Sequence, residues 1–145
     1  MKFLTYESDK TYFGKFDNEE DILKSLNDFC NRNNIRTGQF SIIGAVKRAS
    51  LGFYNQEKKV YDKVNNYDKP MEIVSCSGNI SIKDEKSFVH MHMVVSDEDG
   101  NAFGGHVMTG TEIFAGEFVI HSFKGEDLVR STDKQTGLPL WGNLY

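Results

Sequence analysis

Three of the four histidines in this chain fall in one short stretch: His90 and His92 form an H-x-H pair on an apolar run, and His106 follows Gly104 and Gly105. On an extended strand, side chains at i and i+2 point to the same face about 6.5–7 Å apart. Two imidazoles so placed can lean toward one cation at zinc–nitrogen distances of about 2.0–2.1 Å. A third histidine from the returning segment would complete a facial set and leave a fourth position open. The double glycine is expected to form a tight turn that brings His106 close. The same spacing also suits half-buried strand histidines hydrogen bonded to backbone, and His121 reads as an ordinary strand histidine of that kind.

These residues need strands to position them, and the chain supplies them. Residues 3–8 and 12–16 are short, aromatic-rich segments that fit two strands joined by a turn at Asp9-Lys10. Asp17 followed by Glu20 makes a capping pair, and Ile22, Leu23, Leu26, Phe29 and Cys30 recur at helical spacing. One main helix is therefore expected over about residues 18–32, its apolar stripe facing the core. From Gly38 the period becomes that of strands: 39–47, 49–54, a short strand at Val60-Tyr61, then 71–82, 88–96 and 113–123. Glycines 38, 44 and 52 suggest bulges or bends, and Lys83-Asp84-Glu85 and Asp97–Asn101 read as turns. The acidic run Asp97–Asp99 lacks the ligand spacing of a calcium loop and reads as a solvated hairpin tip. The pattern predicts an α+β fold, a curved and mostly antiparallel sheet with one helix. At 145 residues, with 39% hydrophobic content, the chain suits one domain with a proper core. Residues 127–145 are expected to be a C-terminal tail packed on that domain or on a neighbouring subunit.

Charge and cysteine usage narrow the function. A net charge of −4 and a pI near 5.5 argue against a general phosphate-tracking surface. Lys47, Arg48, Lys58, Lys59 and Lys63 are interleaved with acids and read as a solvated surface. Cys30 and Cys76 form no C-x-x-C spacing and read as buried thiols of a reducing compartment. Residues 1–7 lack the apolar stretch of a signal peptide, and no run approaches the roughly 20 apolar residues of a membrane span. A soluble, cytoplasmic protein with no membrane partner is expected.

Taken together, Gly38–Val46, Ala49–Tyr54, Glu72–Ile80, His90-Met91-His92 and Gly104-Gly105-His106 resemble, in order and spacing, the stand-alone plants-and-prokaryotes conserved (PPC) domain, a family carrying a DNA-binding label. The resemblance continues through Glu117–Ile120 into the Leu128–Leu138 tail. It implies a homotrimer whose subunits bind a metal, commonly zinc, near a subunit interface, with His90, His92 and His106 matching the ligands. Plant members join the domain to a basic AT-hook. No Arg-Gly-Arg-Pro-like segment occurs in this sequence, which removes the main physical support for direct DNA binding.

Three neutral histidines would leave zinc, or another divalent transition metal, with an exchangeable position, the layout of an open site. A hydrolytic use needs a carboxylate as proton acceptor. Glu72 and Glu117 are the candidates, each on an otherwise apolar strand and matching a recurring acidic position of the resembled family; Glu112 is weaker. Two readings follow. One is a metal-binding, homotrimeric regulatory or ligand-binding module holding a small anionic ligand. The other is a metal-dependent hydrolase or lyase acting on a small metabolite. The absence of a nucleophile motif, phosphate loop or dinucleotide fingerprint favours the module.

Overall fold

Period-two alternation commits most of the chain to strands, and the computed structural model, which describes residues 1–144, gathers seven of them into one antiparallel sheet. They are β1 (Glu7–Phe16), β2 (Gly38–Asn55), β3 (Val60–Tyr67), β4 (Met71–Lys83), β5 (Lys86–Ser96), β6 (Ala102–Val107) and β7 (Glu112–Lys124). Their order is β1-β7-β2-β4-β5-β6, with β3 on the far half of β2. The sheet curls until β6, already paired with β5, also meets β2 through Leu51–Val107 and Gly52–His106.

Two turns fix the registers that matter. Asp84 and Glu85 both take positive φ, 50° and 65°, as a two-residue hairpin turn between β4 and β5 requires. That turn sets Lys83 opposite Lys86 and, further up the ladder, Asn79 opposite His90. The Asp97–Asn101 turn closes on the Asp97 carboxylate, which accepts from the N–H groups of Asp99 and Asn101, and it sets His92 opposite His106.

The one helix among the described residues, α1 (Ile22–Arg32), buries Ile22, Leu26 and Cys30 in the core against the inner face of the sheet. It starts later than the expected residue 18. Glu19 has φ 71°, which breaks the helical path, and Asp21 is the true cap, accepting from the Lys24 N–H at 2.9 Å. Asp17 and Glu20 instead bond each other in the preceding turn. The helix also completes β5: Asn31 and Asn27 accept from the N–H groups of Ser87 and Val89, which lie beyond the reach of β6.

Three further expectations give way to the structure. The N-terminal hairpin is not formed: residues 3–6 lie outside any strand, and Glu7–Phe16 is one strand in which Asp9-Lys10 makes an irregularity in the pairing with β7 and not a reversal. Residues 39–47 and 49–54 form one long strand that bends at irregularities near Gly44 and Val46. Gly104-Gly105-His106 is no turn but the middle of β6. The missing side chains let β6 wedge between its neighbours, since a Cβ on Gly105 would sit 2.9 Å from the Gly52 carbonyl oxygen.

Beyond β7 the chain crosses the convex side. Ile82 donates to the Leu128 carbonyl, and β8 (Arg130–Thr132) pairs with β9 (Pro139–Trp141) in a small ribbon. Cys30 and Cys76 are buried and unpaired, and burial pushes both thiols up to about 12. Among the described residues no helix is long and apolar enough to cross a membrane.

Candidate metal centre

Alternation along β5 sorts its side chains by face. Val89, Met91, Met93 and Val95 are all buried in the core, whereas Phe88, His90, His92 and Val94 face outward. His90 and His92 thus share the convex face, and the β5–β6 register brings His106 beside them. The ring centroids lie 5.0–5.3 Å apart, and one ligand nitrogen from each ring falls within 4.8 Å of the others. A tetrahedral ion with bonds of about 2.0–2.1 Å needs nitrogens roughly 3.4 Å apart, so small side-chain rotations suffice.

The electrostatics suit ligation. Burial, then the charges of the neighbouring histidines and Arg130, pushes His90 and His106 down to about 4, so both are neutral with a free lone pair near pH 7. The decisive detail is His106 Nδ1, which is buried and has no hydrogen-bond partner. A buried polar atom left unpaired costs about 1–3 kcal/mol. In a cluster of three converging imidazoles, a cation is the partner that chemistry supplies.

The histidines floor a cavity of about 620 Å³. Tyr54, Tyr61 and Phe88 line its sheet side, and Leu138, Pro139 and Leu140 of the tail line the other. Tyr61 packs on His106 with centroids 4.9 Å apart and on Tyr54 at 5.0 Å. Arg130 also lines the cavity, and no carboxylate does among the described residues. The aromatic wall and Arg130 were missed as site residues by sequence reasoning. For Arg130 the only signal was an arginine near a proline and a tryptophan in the tail, and for Tyr54, Tyr61 and Phe88 there was none beyond their strand positions.

The acidic candidates lie elsewhere. Glu72 is exposed on β4 between Ala45 and Ser96, and at about 3.3 Å per residue the span from 72 to 77, beside His92, is about 17 Å. Glu117 is exposed between Lys15 and Ile43 on β7, three strand spacings or about 14 Å from β5. The structure therefore brings neither to the histidines as a proton acceptor. Glu112 is engaged by Arg48 at 2.7 Å, and His121 Nδ1 sits 3.1 Å from the Thr11 hydroxyl, far along the sheet from the cluster. Several surface cations are paired with acids, among them Lys47 with Glu19, Lys58 with Asp62 and Lys69 with Asp97.

Comparison with known proteins agrees with this geometry. No curated protein matches the chain. A metal-containing protein from Archaeoglobus fulgidus superposes with a TM-score of 0.92 at 38% identity, covering 97% of this chain and 99% of that one. A plant- and prokaryote-conserved (PPC) protein from Pyrococcus horikoshii superposes with a TM-score of 0.92 at 34% identity, over 100% and 99%. A candidate DNA-binding protein from Bacteroides thetaiotaomicron gives 0.83 at 32% identity, over 94% and 96%. The family profile itself matches residues 4–124, which contain the helix, the curled sheet and all three clustered histidines, and the chain belongs to the Plants and Prokaryotes Conserved (PCC) domain family.

Proposed function

We propose that this chain is a metal-binding PCC-domain protein that works as a homotrimeric regulatory or ligand-binding module, with His90, His92 and His106 as its metal ligands. The observation that carries the reading is the convergence of one ring nitrogen from each of His90, His92 and His106 within 4.8 Å, in a cluster where His106 Nδ1 is buried without a hydrogen-bond partner. Imidazole sets of this kind suit zinc and other divalent transition metals. Such an ion, when bound, supplies positive charge and an exchangeable position for a small anionic ligand. The metal-containing relative from Archaeoglobus fulgidus supports the assignment.

The trimer draws support from the convex face of the sheet. There Phe13 and Ile43 are 81% and 61% exposed and flank Val119 on the side opposite the core. Apolar side chains grouped this way favour assembly, and light scattering should give three subunits per particle. Two buried free thiols fit a cytoplasmic setting. An enzymatic reading as a hydrolase or lyase is disfavoured, because Glu72 and Glu117 both stand away from the cavity. Direct DNA binding is also the weaker reading for a chain of net charge −4, and a gel shift at physiological salt should show no complex at micromolar protein.

The test of the metal site is elemental analysis of protein purified without chelator. One transition metal per subunit is expected, and His92→Ala should lose it. His92 is exposed, so the substitution removes a ligand and spares the core. Retention of metal by that variant would sink the assignment.

A further inference from the structure

The tail wall of the cavity carries a charge that nothing in the fold answers. Arg130 is 9% exposed, and among the described residues it has no acidic partner within ion-pair distance. It is held by neutral groups alone. Nε donates to the Ser81 hydroxyl at 2.7 Å, Nη2 to Asn79 Oδ1 at 2.7 Å and Nη1 to the Pro139 carbonyl at 2.6 Å. Three of its five N–H donors are used, leaving two. The guanidinium carbon lies 5.1 Å from the Phe88 ring centroid and 5.9 Å from that of Trp141, so the group is braced by aromatic rings.

Arg130 also stands at the histidine end of the cavity, since Asn79, which accepts its Nη2–H, is the register partner of His90. A buried, immobilised guanidinium with spare donors and no counter-charge is costly to maintain for packing alone. Its planar fork matches a carboxylate. Among the described residues no lysine and no second arginine lines the cavity, so the match is to one negative charge and not to a polyphosphate. Most of the remaining lining is apolar or aromatic, the tyrosine pair on one side and Leu138 and Leu140 on the other, with Gln56, Gln135 and Thr136 as its neutral polar members. A volume of about 620 Å³ lies in the range of small-molecule sites. The family match ends at residue 124, so the histidine floor falls inside it and Arg130 with the tail wall falls outside.

We propose that Arg130 and the tail make this cavity a receptor for a small organic monocarboxylate with a flat apolar body. The carboxylate lies toward Arg130 and the histidines, and the body lies between the tyrosines and the tail leucines. This rests on the metal-binding reading for the charge of the floor, and Arg130 contributes its own charge whether or not that reading holds.

The experiment is calorimetric titration of the full chain, loaded with zinc, with benzoate and with its neutral isostere benzamide, the metal content being measured on the same sample. Benzoate should bind at least about tenfold more tightly than benzamide. Equal affinities, or no binding of either at millimolar concentration, overturn the proposal. Arg130→Gln should bring benzoate down to the level of benzamide with the metal content unchanged, and a variant that keeps the preference removes Arg130 from the role. Leu138→Asp is the second variant, placing a negative charge on the tail wall without touching the bonds of Arg130. It should weaken benzoate about tenfold and benzamide little, and unaltered benzoate binding counts against the site. A sample without metal defeats the metal reading, and the benzoate preference in that sample still decides this one.

Discussion

The two walls of the histidine cavity are built in opposite ways. The sheet wall stands on β2, β3, β5 and β6: the β4–β5 ladder runs unbroken past His90 and His92, the β5–β6 ladder is anchored at the His92–His106 pair, and the inner side chains of β5, Val89, Met91, Met93 and Val95, are all buried. The tail wall is two three-residue strands joined by a loop, tied to the body by Arg130, by Tyr54 and by Lys59. Ligands of a metal must be held within fractions of an ångström, and a continuous ladder over a packed core does that. A wall held by a handful of polar bonds can part and re-form around an incoming molecule. The contrast assigns positioning of the metal to the sheet and selection of the ligand to the tail.

The contrast is broken most forcefully from beneath the sheet. Met91 lies between the two histidines of β5 and is 1% exposed in the core. Met91→Ala should cost about 2–5 kcal/mol, through lost burial and the cavity left behind. Urea unfolding should show this as a lower midpoint for the whole protein, and metal affinity should fall with it. A loss below about 1 kcal/mol would mean that the core under β5 is not what fixes the histidines.

The tail comes next. Arg130→Gln removes a buried side chain with three hydrogen bonds and should cost about 1–3 kcal/mol. Hydrogen exchange distinguishes where that cost falls. Amides of residues 129–141 should lose protection while those of β5 keep theirs. Equal loss in both would show that the walls form one cooperative unit, and the division of labour would fail.

How legible each wall was in the sequence follows from the range of the forces that build it. The alternation of His90 and His92 with Met91 and Met93 is local, so the strand, its core face and the shared face of the two imidazoles could be read directly. The helix stripe Ile22, Leu26 and Cys30 was equally plain. Its start was not, because Asp17-Glu20 and Asp21 both offer caps and the choice was made by Glu19 adopting positive φ. Gly104-Gly105 was misread as a turn, since only the neighbouring Gly52 carbonyl shows that the glycines serve a close strand approach. The tail wall was illegible as a site. Arg130 meets Asn79 and Ser81 across about fifty residues of chain, and no spacing rule reports such a contact. Glu72 and Glu117 failed for the same reason in reverse: an acid on an apolar strand gives no sign of which strand stands beside it.

The smallest effect is the sharpest probe of the tail wall, because it loosens the wall and leaves its charge alone. The Tyr54 hydroxyl donates to the Thr136 carbonyl at 2.6 Å, while the Tyr54 ring packs edge-on against Tyr61, which in turn covers His106. Tyr54→Phe keeps the ring stack and deletes only the hydroxyl. The bond is exposed, so its loss should cost about 0.5–1 kcal/mol, a shift in Tm of roughly 1–4 °C for a chain of this size. Metal content should not change, and exchange should quicken in the loop between β8 and β9 alone. If metal affinity also falls with Tyr54→Phe, the tail is helping to hold the histidines in place, and positioning can no longer be assigned to the sheet by itself.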